Sequence, residues 1–397
     1  MSNTRILVLS YYFTPDLSAC AFRSSALVET LAKQHPNVQI DVITTYPSRY
    51  SSYKPQIKGA FQLPNVNITR ISVPNLNAGF KGEMVSVGYY YRRVLKLIKG
   101  HKYDVVYGTS AKLATAALAR LVAKRTSAKA YLDIRDLFVD NIQDMFNPTL
   151  ARILMPFFKR LEHFALNDVD KLNVVSAGFD SHIQHYVQPS QLTHYTNGVD
   201  GAFQLVSKPN TKVLKGQSIK LLYAGNVGRA QSLEKIIPKL ARKLGKRVEI
   251  TILGDGRKNN QLINKLQQLS LSNVTVHPPV PREELMGFYQ SADMLFLHLD
   301  GCECLSKVIP SKLFEYAATG LPMLCGASGY TKEFIESNIE NAAVFAPNNV
   351  EDCISKLNSL DLSVYSRKDF CSSYARTQIM SEMAKDIVEL HGERTST

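Results

Sequence analysis

Twice along this chain, short apolar runs alternate with amphipathic helical patterns, and no other feature restricts the fold as much. In the first half, strand-like runs occur at residues 5–12, 39–44, 67–73, 104–108, 130–134 and 172–175. Helical patterns lie between several of them. Residues 21–33, for example, put Phe22, Ala26, Leu27 and Leu31 on one helical face. A polar stretch at 207–218, with Pro209, Asn210 and Gly216, reads as a linker. The pattern then restarts, with strands at 220–224, 248–253, 274–277, 294–297 and 323–325 and helices at 233–244 and 259–269. Strands that are apolar throughout are buried on both faces, and helices between them supply the cover of a parallel sheet. The chain of 397 residues is too long for one ordinary core. It therefore reads as α/β, with two doubly wound, Rossmann-like domains facing a central crevice. The first spans 1–205 and the second 206–370. A final helix, residues 370–390, lies in a segment 371–397 that crosses back to the first domain.

Ligands of such sheets sit beyond the carboxyl ends of the strands, and four segments of the second half fall there. Residues 225–229 (GNVGR) follow the first strand: glycines admit close backbone approach, and Arg229 can fork onto a diphosphate. Gly254 and Gly256 follow the second strand, and residues 278–281 (PPVP) follow the third. The fourth, residues 310–322 (PSKLFEYAATGLP), begins a helix that carries Ser311, Lys312 and Glu315 on its opening turns, with Lys307 just upstream. A helix N-terminus offers unpaired N–H groups to phosphate, and a carboxylate one turn in can accept from a sugar diol. Taken singly, each segment suits an ordinary turn or surface helix equally well.

Residues 223–228 (YAGNVG), 253–256 (LGDG), 289–293 (YQSAD) and 310–322 together resemble the GT-B glycosyltransferases of family 4 in order and spacing. These enzymes transfer a sugar from a nucleoside diphosphate. Within the family the chain looks most like bacterial surface-polysaccharide enzymes, including those proposed to move N-acetylfucosamine. The resemblance implies a retaining transfer from a UDP-linked sugar to a polyprenyl-diphosphate-linked saccharide, with no cofactor and no metal. It assigns the donor diphosphate to Gly228 and Arg229, with Gly254 and Gly256 lining the site. It places the base at Val280 and Pro281, the ribose at Glu315, and the phosphates at Ser311 and Lys312. Glu315 matches the second Glu of the family's E-x7-E motif. The first is replaced by Lys307, which suits a donor sugar lacking a hydroxyl or a Lys on phosphate. The first-domain turn 16–21 lacks the glycine that the family carries there.

Asp133, Arg135 and Asp136 end a first-domain strand and are the candidate catalytic cluster, with a structural salt bridge as the alternative reading. His182 and His185 share no motif with a carboxylate. The six cysteines show no C-x-x-C pair, so neither zinc-ligand spacing nor a disulfide framework is visible.

The net charge of +13 is concentrated. Residues 1–129 hold 18 Lys and Arg against 5 Asp and Glu, whereas residues 130–397 hold 29 of each. Such a field suits an anionic partner. Residues 84–103 interleave Tyr89, Tyr90 and Tyr91 with Arg92, Arg93, Lys96 and Lys99, the composition of a membrane-interface helix or of a sheet-covering helix with a basic outer face. No apolar run is long enough to span a bilayer, and the expected location is cytoplasmic, peripheral on the inner face of the plasma membrane. The rival readings are a GT-B epimerase or phosphorylase and a basic nucleic-acid-binding protein. No nucleic-acid recognition motif accompanies the charge, so nucleic acid is not an expected partner.

Overall fold

In a computed structural model, residues 4–47, 57, 61–74, 79–110, 112–139, 142, 148–205 and 218–392 are described. Of the linker expected at 207–218, all but the last residue lies outside them. The chain forms two compact units, Met1–Thr196 with Thr377–Thr397, and Asn197–Arg376.

The first unit is a seven-stranded parallel sheet of order β3-β2-β1-β4-β5-β6-β7. Its strands are β1 (Arg5–Leu9), β2 (Gln39–Thr45), β3 (Val66–Ile71), β4 (Val105–Thr109), β5 (Lys129–Ile134), β6 (Lys171–Val174) and β7 (Leu192–Thr193). Among the described residues, the helices that connect them are α1 (Ala19–Gln34), α2 (Gly79–Leu97), α3 (Leu113–Thr126) and α4 (Pro148–Leu166), with the short α5 (Asp180–Ile183) after β6. Ser18 starts α1 two residues before the expected position, because its Oγ accepts the N–H of Ala21 at 3.1 Å.

The second unit is a six-stranded parallel sheet of order β10-β9-β8-β11-β12-β13. Its strands are β8 (Ile219–Ala224), β9 (Val248–Leu253), β10 (Val274–His277), β11 (Met294–His298), β12 (Met323–Gly326) and β13 (Ala342–Phe345). Between them run α6 (Leu233–Leu244), α7 (Asn259–Gln268), α8 (Arg282–Ser291), α9 (Ser311–Ala318) and α10 (Gly329–Asn338); α11 (Val350–Ser359) follows β13. Alternate residues of the same strands feed two separate cores. Leu222, Ala224, Leu295 and Leu297 point to one face with Leu313 and Phe314 of α9. Leu221, Tyr223, Met294 and Phe296 point to the other with Ile236 and Leu240 of α6. Two-sided burial explains why these strands read as unbroken apolar runs.

The expected terminal helix is two helices, α12 (Lys368–Ser373) and α13 (Arg376–Gly392). The break lies where residues 374–376 pair with Val199: its N–H donates to Tyr374 O at 2.7 Å, and its carbonyl accepts from Arg376 N at 2.9 Å. Met380, Met383 and Ile387 of α13 then join the core around Ile6, Val8 and Leu27, so the chain ends in the first unit. The divisions fall at 196/197 and 376/377, rather than at 205/206 and 370/371. The reason is that Val199, Phe203, Phe370 and Cys371 belong to the core of the second unit.

Helix α2 ends at Leu97, short of residue 103, and its tyrosines do not form one exposed cluster. Tyr90 is buried and donates to Ile43 O at 2.7 Å, Tyr89 is exposed, and Tyr91 is half-buried.

The glycines after β8 and β9 serve backbone packing. Gly225 N donates to Leu253 O and Val227 N to Asp255 O, both at 2.9 Å. A Cβ on Gly254 would sit 1.8 Å from Gly225 O, and one on Gly256 2.4 Å from Val227 O. Gly254→Ala therefore displaces backbone and is expected to lower unfolding free energy by more than about 2 kcal/mol. Gly287→Ala, in α8 with nothing within 4 Å of the new Cβ, is expected to gain about 0.5–1 kcal/mol. Urea denaturation of both variants tests the contrast.

Candidate functional site

The strand order of the second unit reverses between β8 and β11, and ligands of open parallel sheets bind outside the strand ends at such a point. The loops after β8 and β11 and the start of α9 meet this edge. They carry Gly228, Arg229, Lys307, Ser311, Lys312 and Glu315.

Arg229 is exposed and has no ion pair among the described residues. The backbone that carries it is held from the end of β11. Asp300 N donates to Ala230 O at 2.7 Å, and His298 Nδ1 donates to Gln231 O at 2.7 Å. Ser232 Oγ reaches Asp300 Oδ2 at 2.7 Å, and Lys235 Nζ reaches the same oxygen at 2.6 Å. On its other edge, His298 Nε2 accepts the Asn348 N–H at 3.0 Å, so both ring nitrogens are satisfied by the neutral ring. Burial pushes His298 down to about 4, against a partial upward pull from the Gln231 carbonyl. Asp300 is held below the usual carboxylate range: burial opposes this, but bonds from Lys235, Ser232 and Asn348 prevail. None of this is visible in a local motif. The strand expected at 294–297 stops just short of His298, and the two partners of its ring, Gln231 and Asn348, come from separate loops.

Helix α9 begins after Pro310, which lends no side-chain cap. Ser311 is half-exposed on the first turn and Glu315 is buried one turn in. The Lys312 ammonium, expected at phosphate, lies 2.8 Å from Glu315 Oε2. Burial works to raise the Glu315 carboxyl, yet the charge and bond of Lys312, with Arg282 and Arg376 nearby, hold it below its ordinary value. Arg282 and Arg376 both pair with Asp200, the latter at 2.9 Å, and Arg282 lies over the Phe203 ring. Tyr316 fixes the helix to the sheet, since its hydroxyl accepts the Ala224 N–H at the end of β8 at 2.7 Å. The sequence reading missed Asp200, Arg282 and Arg376, because they come from three distant segments. Val280 packs against the core and Pro281 precedes α8, both half-buried. Gly254 and Gly256 have the packing role given above, which accounts for them without a ligand. Lys307 is half-buried after the short turn Glu303–Leu305.

The first-unit cluster divides. Asp133 is sealed in the core, where its oxygens accept from Arg23 Nε (2.8 Å), Arg23 Nη2 (3.1 Å), Tyr107 Oη (2.9 Å) and Asn173 Nδ2 (2.7 Å). Burial pushes its carboxyl up, but Arg23 outweighs this and keeps it ionised. Asp133 is thus a structural anion rather than a catalytic group, since no substrate reaches a carboxylate so enclosed. Arg135 is buried, with its N–H on Ser110 Oγ at 2.8 Å, and of the three only Asp136 is exposed. His182 meets a carboxylate from another element, Glu162 of α4, at 3.1 Å.

Two measurements check these assignments. Asp133→Asn leaves Arg23 buried without its countercharge and is expected to lower stability by about 3–5 kcal/mol, read from chemical denaturation. The unfolded imidazole of His298 titrates near 6.5 and the folded one near 4, so protons favour the unfolded chain. The stability that His298 contributes is complete above about pH 6.5 and declines as pH falls toward about 4, by about 3 kcal/mol in all. Unfolding free energy measured from pH 7 to pH 5 should fall in the wild type and flatten in His298→Gln.

Comparison with known proteins agrees with this geometry. Residues 207–377 match the family model of glycosyl transferases group 1. The chain is 24% identical over 352 residues to WcaI of Escherichia coli K12, described as a colanic acid biosynthesis glycosyl transferase, covering 83% of this chain and 84% of that one. Among solved structures, WaaG, a glycosyltransferase involved in lipopolysaccharide biosynthesis, superposes with a TM-score of 0.65 at 17% identity over 98% of each chain. HepE of Anabaena in complex with UDP-glucose gives 0.66 at 13% identity over 97% of this chain and 99% of that one. The protein is a glycosyltransferase of GT-B architecture, and the stretch that matches the group 1 glycosyl transferase model lies almost wholly in its second unit.

Proposed function

We propose that the protein transfers a sugar, with retention of configuration, from a UDP-linked donor to a polyprenyl-diphosphate-linked saccharide in surface-polysaccharide synthesis. An N-acetylated deoxyhexosamine is the proposed sugar, because Lys307 replaces the carboxylate that would contact a further sugar hydroxyl. The observation that carries the donor assignment is Glu315: a carboxylate kept ionised one turn inside α9, at the strand-end edge that also displays Arg229. An ionised carboxylate accepts from both hydroxyls of a ribose, and Lys312 engages only Oε2 in the ion pair. The first N–H groups of α9 and the Ser311 hydroxyl suit the diphosphate. Arg229 and Lys307 then stabilise the charge that develops on the departing nucleoside diphosphate. UDP-glucose bound to the structural relative HepE and the colanic acid and lipopolysaccharide roles of WcaI and WaaG support the donor and pathway class. In this reading the acceptor binds the basic first unit and the enzyme works at the inner face of the membrane, where the cations of α2 meet anionic lipid.

Calorimetry against a panel of UDP-sugars tests the donor site. Glu315→Ala and Arg229→Ala are each expected to weaken the best donor by about 1.5–3 kcal/mol while the fold is retained. Unchanged affinity in both variants would overturn the assignment. Release of an epimerised nucleotide sugar in the absence of any acceptor would replace transfer by epimerisation.

A further inference from the structure

Among the described residues of the first unit, the two most exposed large apolar side chains, Ile153 and Phe157, lie on α4 and serve neither the core nor the donor site. Leu150, Ile153, Phe157 and Phe164 are all exposed, Ile153 at 67% and Phe157 at 55%. At about 100° per residue the four fall within an arc of about 60°, so they form one stripe. The opposite face, with Ala151, Phe158 and Ala165, is buried.

The topology gives this stripe its neighbours. The connections β3–α2–β4, β4–α3–β5 and β5–α4–β6 all move the same way across the sheet, so right-handed crossovers put α2, α3 and α4 on one face. Helix α3 packs against both of the others. All three run back against the strands, which brings the N-terminal parts of α2 and α4 to the carboxyl edge of the sheet. There α2 exposes Met84, Val85 and Tyr89, matching Leu150, Ile153 and Phe157 of α4.

The charge on this layer has one sign. Arg92, Arg93 and Lys96 of α2 and Arg152, Lys159 and Arg160 of α4 are exposed. The three helices contain two carboxylates, and both are engaged: Glu83 with Lys112, and Glu162, which is buried, with His182 and Tyr186. A surface that is apolar at its crest, cationic on its flanks and without a free carboxylate complements a partner that is anionic outside and apolar beneath.

We propose that α4 is the membrane-inserting element of this protein: Ile153 and Phe157, with Leu150 and Phe164, enter the acyl boundary of an anionic bilayer while the cations of α2 and α4 bind the headgroups. This rests on the peripheral-membrane reading above and adds to it a separate, apolar mode of attachment. Salt tells the two modes apart, because it screens headgroup attraction and leaves apolar insertion in place.

The test is co-sedimentation of the full chain with vesicles of phosphatidylglycerol and phosphatidylcholine at low salt and at high salt. Wild type is expected to sediment at both. Ile153→Ser/Phe157→Ser, which alters only exposed side chains, is expected to bind at low salt but to lose about fivefold or more of its bound fraction at high salt. Its thermal melt and donor affinity should match wild type. If wild type stays in the supernatant at low salt, the peripheral-membrane reading fails, and this inference with it. If wild type sediments at high salt and the double variant does so equally, only the insertion by α4 is overturned. Light scattering supplies the remaining arm: a wild-type dimer that the double variant abolishes would make the stripe a contact between two copies and overturn the membrane assignment.

Discussion

A parallel sheet must hide both of its faces from water, and this requirement governs both units. Successive residues of β8 and β11 enter different cores, one closed by α9 and the other by α6. In the first unit the same requirement brings α13 from the far end of the chain to cover Ile6 and Val8. Even the charged group inside that unit answers to it. Asp133 lies within the packed layer, where a carboxylate is tolerable only if fully paired, and Arg23, Tyr107 and Asn173 supply the pairing. Arg23 also donates to the carbonyls of Tyr195 and Thr196, so the pair anchors the segment that leaves the unit.

With both faces covered, only the strand edges remain for chemistry. At the carboxyl edge of the second sheet, the loops after β8 and β9 pack backbone on backbone, which leaves no room for side chains at Gly254 and Gly256. The rigid pair of loops is then held to β11 through neutral His298 and ionised Asp300. Arg229 projects from this braced segment. Glu315 approaches the same edge from α9, charged because Lys312, Arg282 and Arg376 offset the cost of its burial. In the proposed reading, a cation preorganised as Arg229 is stabilises a departing diphosphate without reorganisation at the moment of reaction.

The first unit uses its outer surface differently. The helices over one face of its sheet expose cations and a line of apolar side chains, while their two carboxylates are occupied within the fold. Such a surface suits the proposed lipid-linked acceptor on this unit. Among the described residues no helix is long and apolar enough to cross a membrane.

Two sheets, their parallel order and most strands were legible in the amino-acid sequence, because a strand buried on both faces must be apolar at every position and so announces itself locally. The donor-site candidates were legible for a related reason: helix starts and strand-end glycines are short-range signals, and Gly228, Arg229, Ser311 and Glu315 lie within such signals. What tertiary structure alone decided involves partners far apart in the chain. Lys312 turns to Glu315 because burial of that carboxylate demands a countercharge. Asp133 becomes structural because Arg23 meets it across the sheet. His298 becomes a brace because Gln231 and Asn348 meet its two nitrogens. The terminal helix breaks at residues 374–376 because Val199 claims their backbone. Tyr90 is buried whereas Ile153 and Phe157 are exposed, an outcome that residue type alone reverses, because the packing of α2 and α4 against the sheet selects which face of each helix meets water.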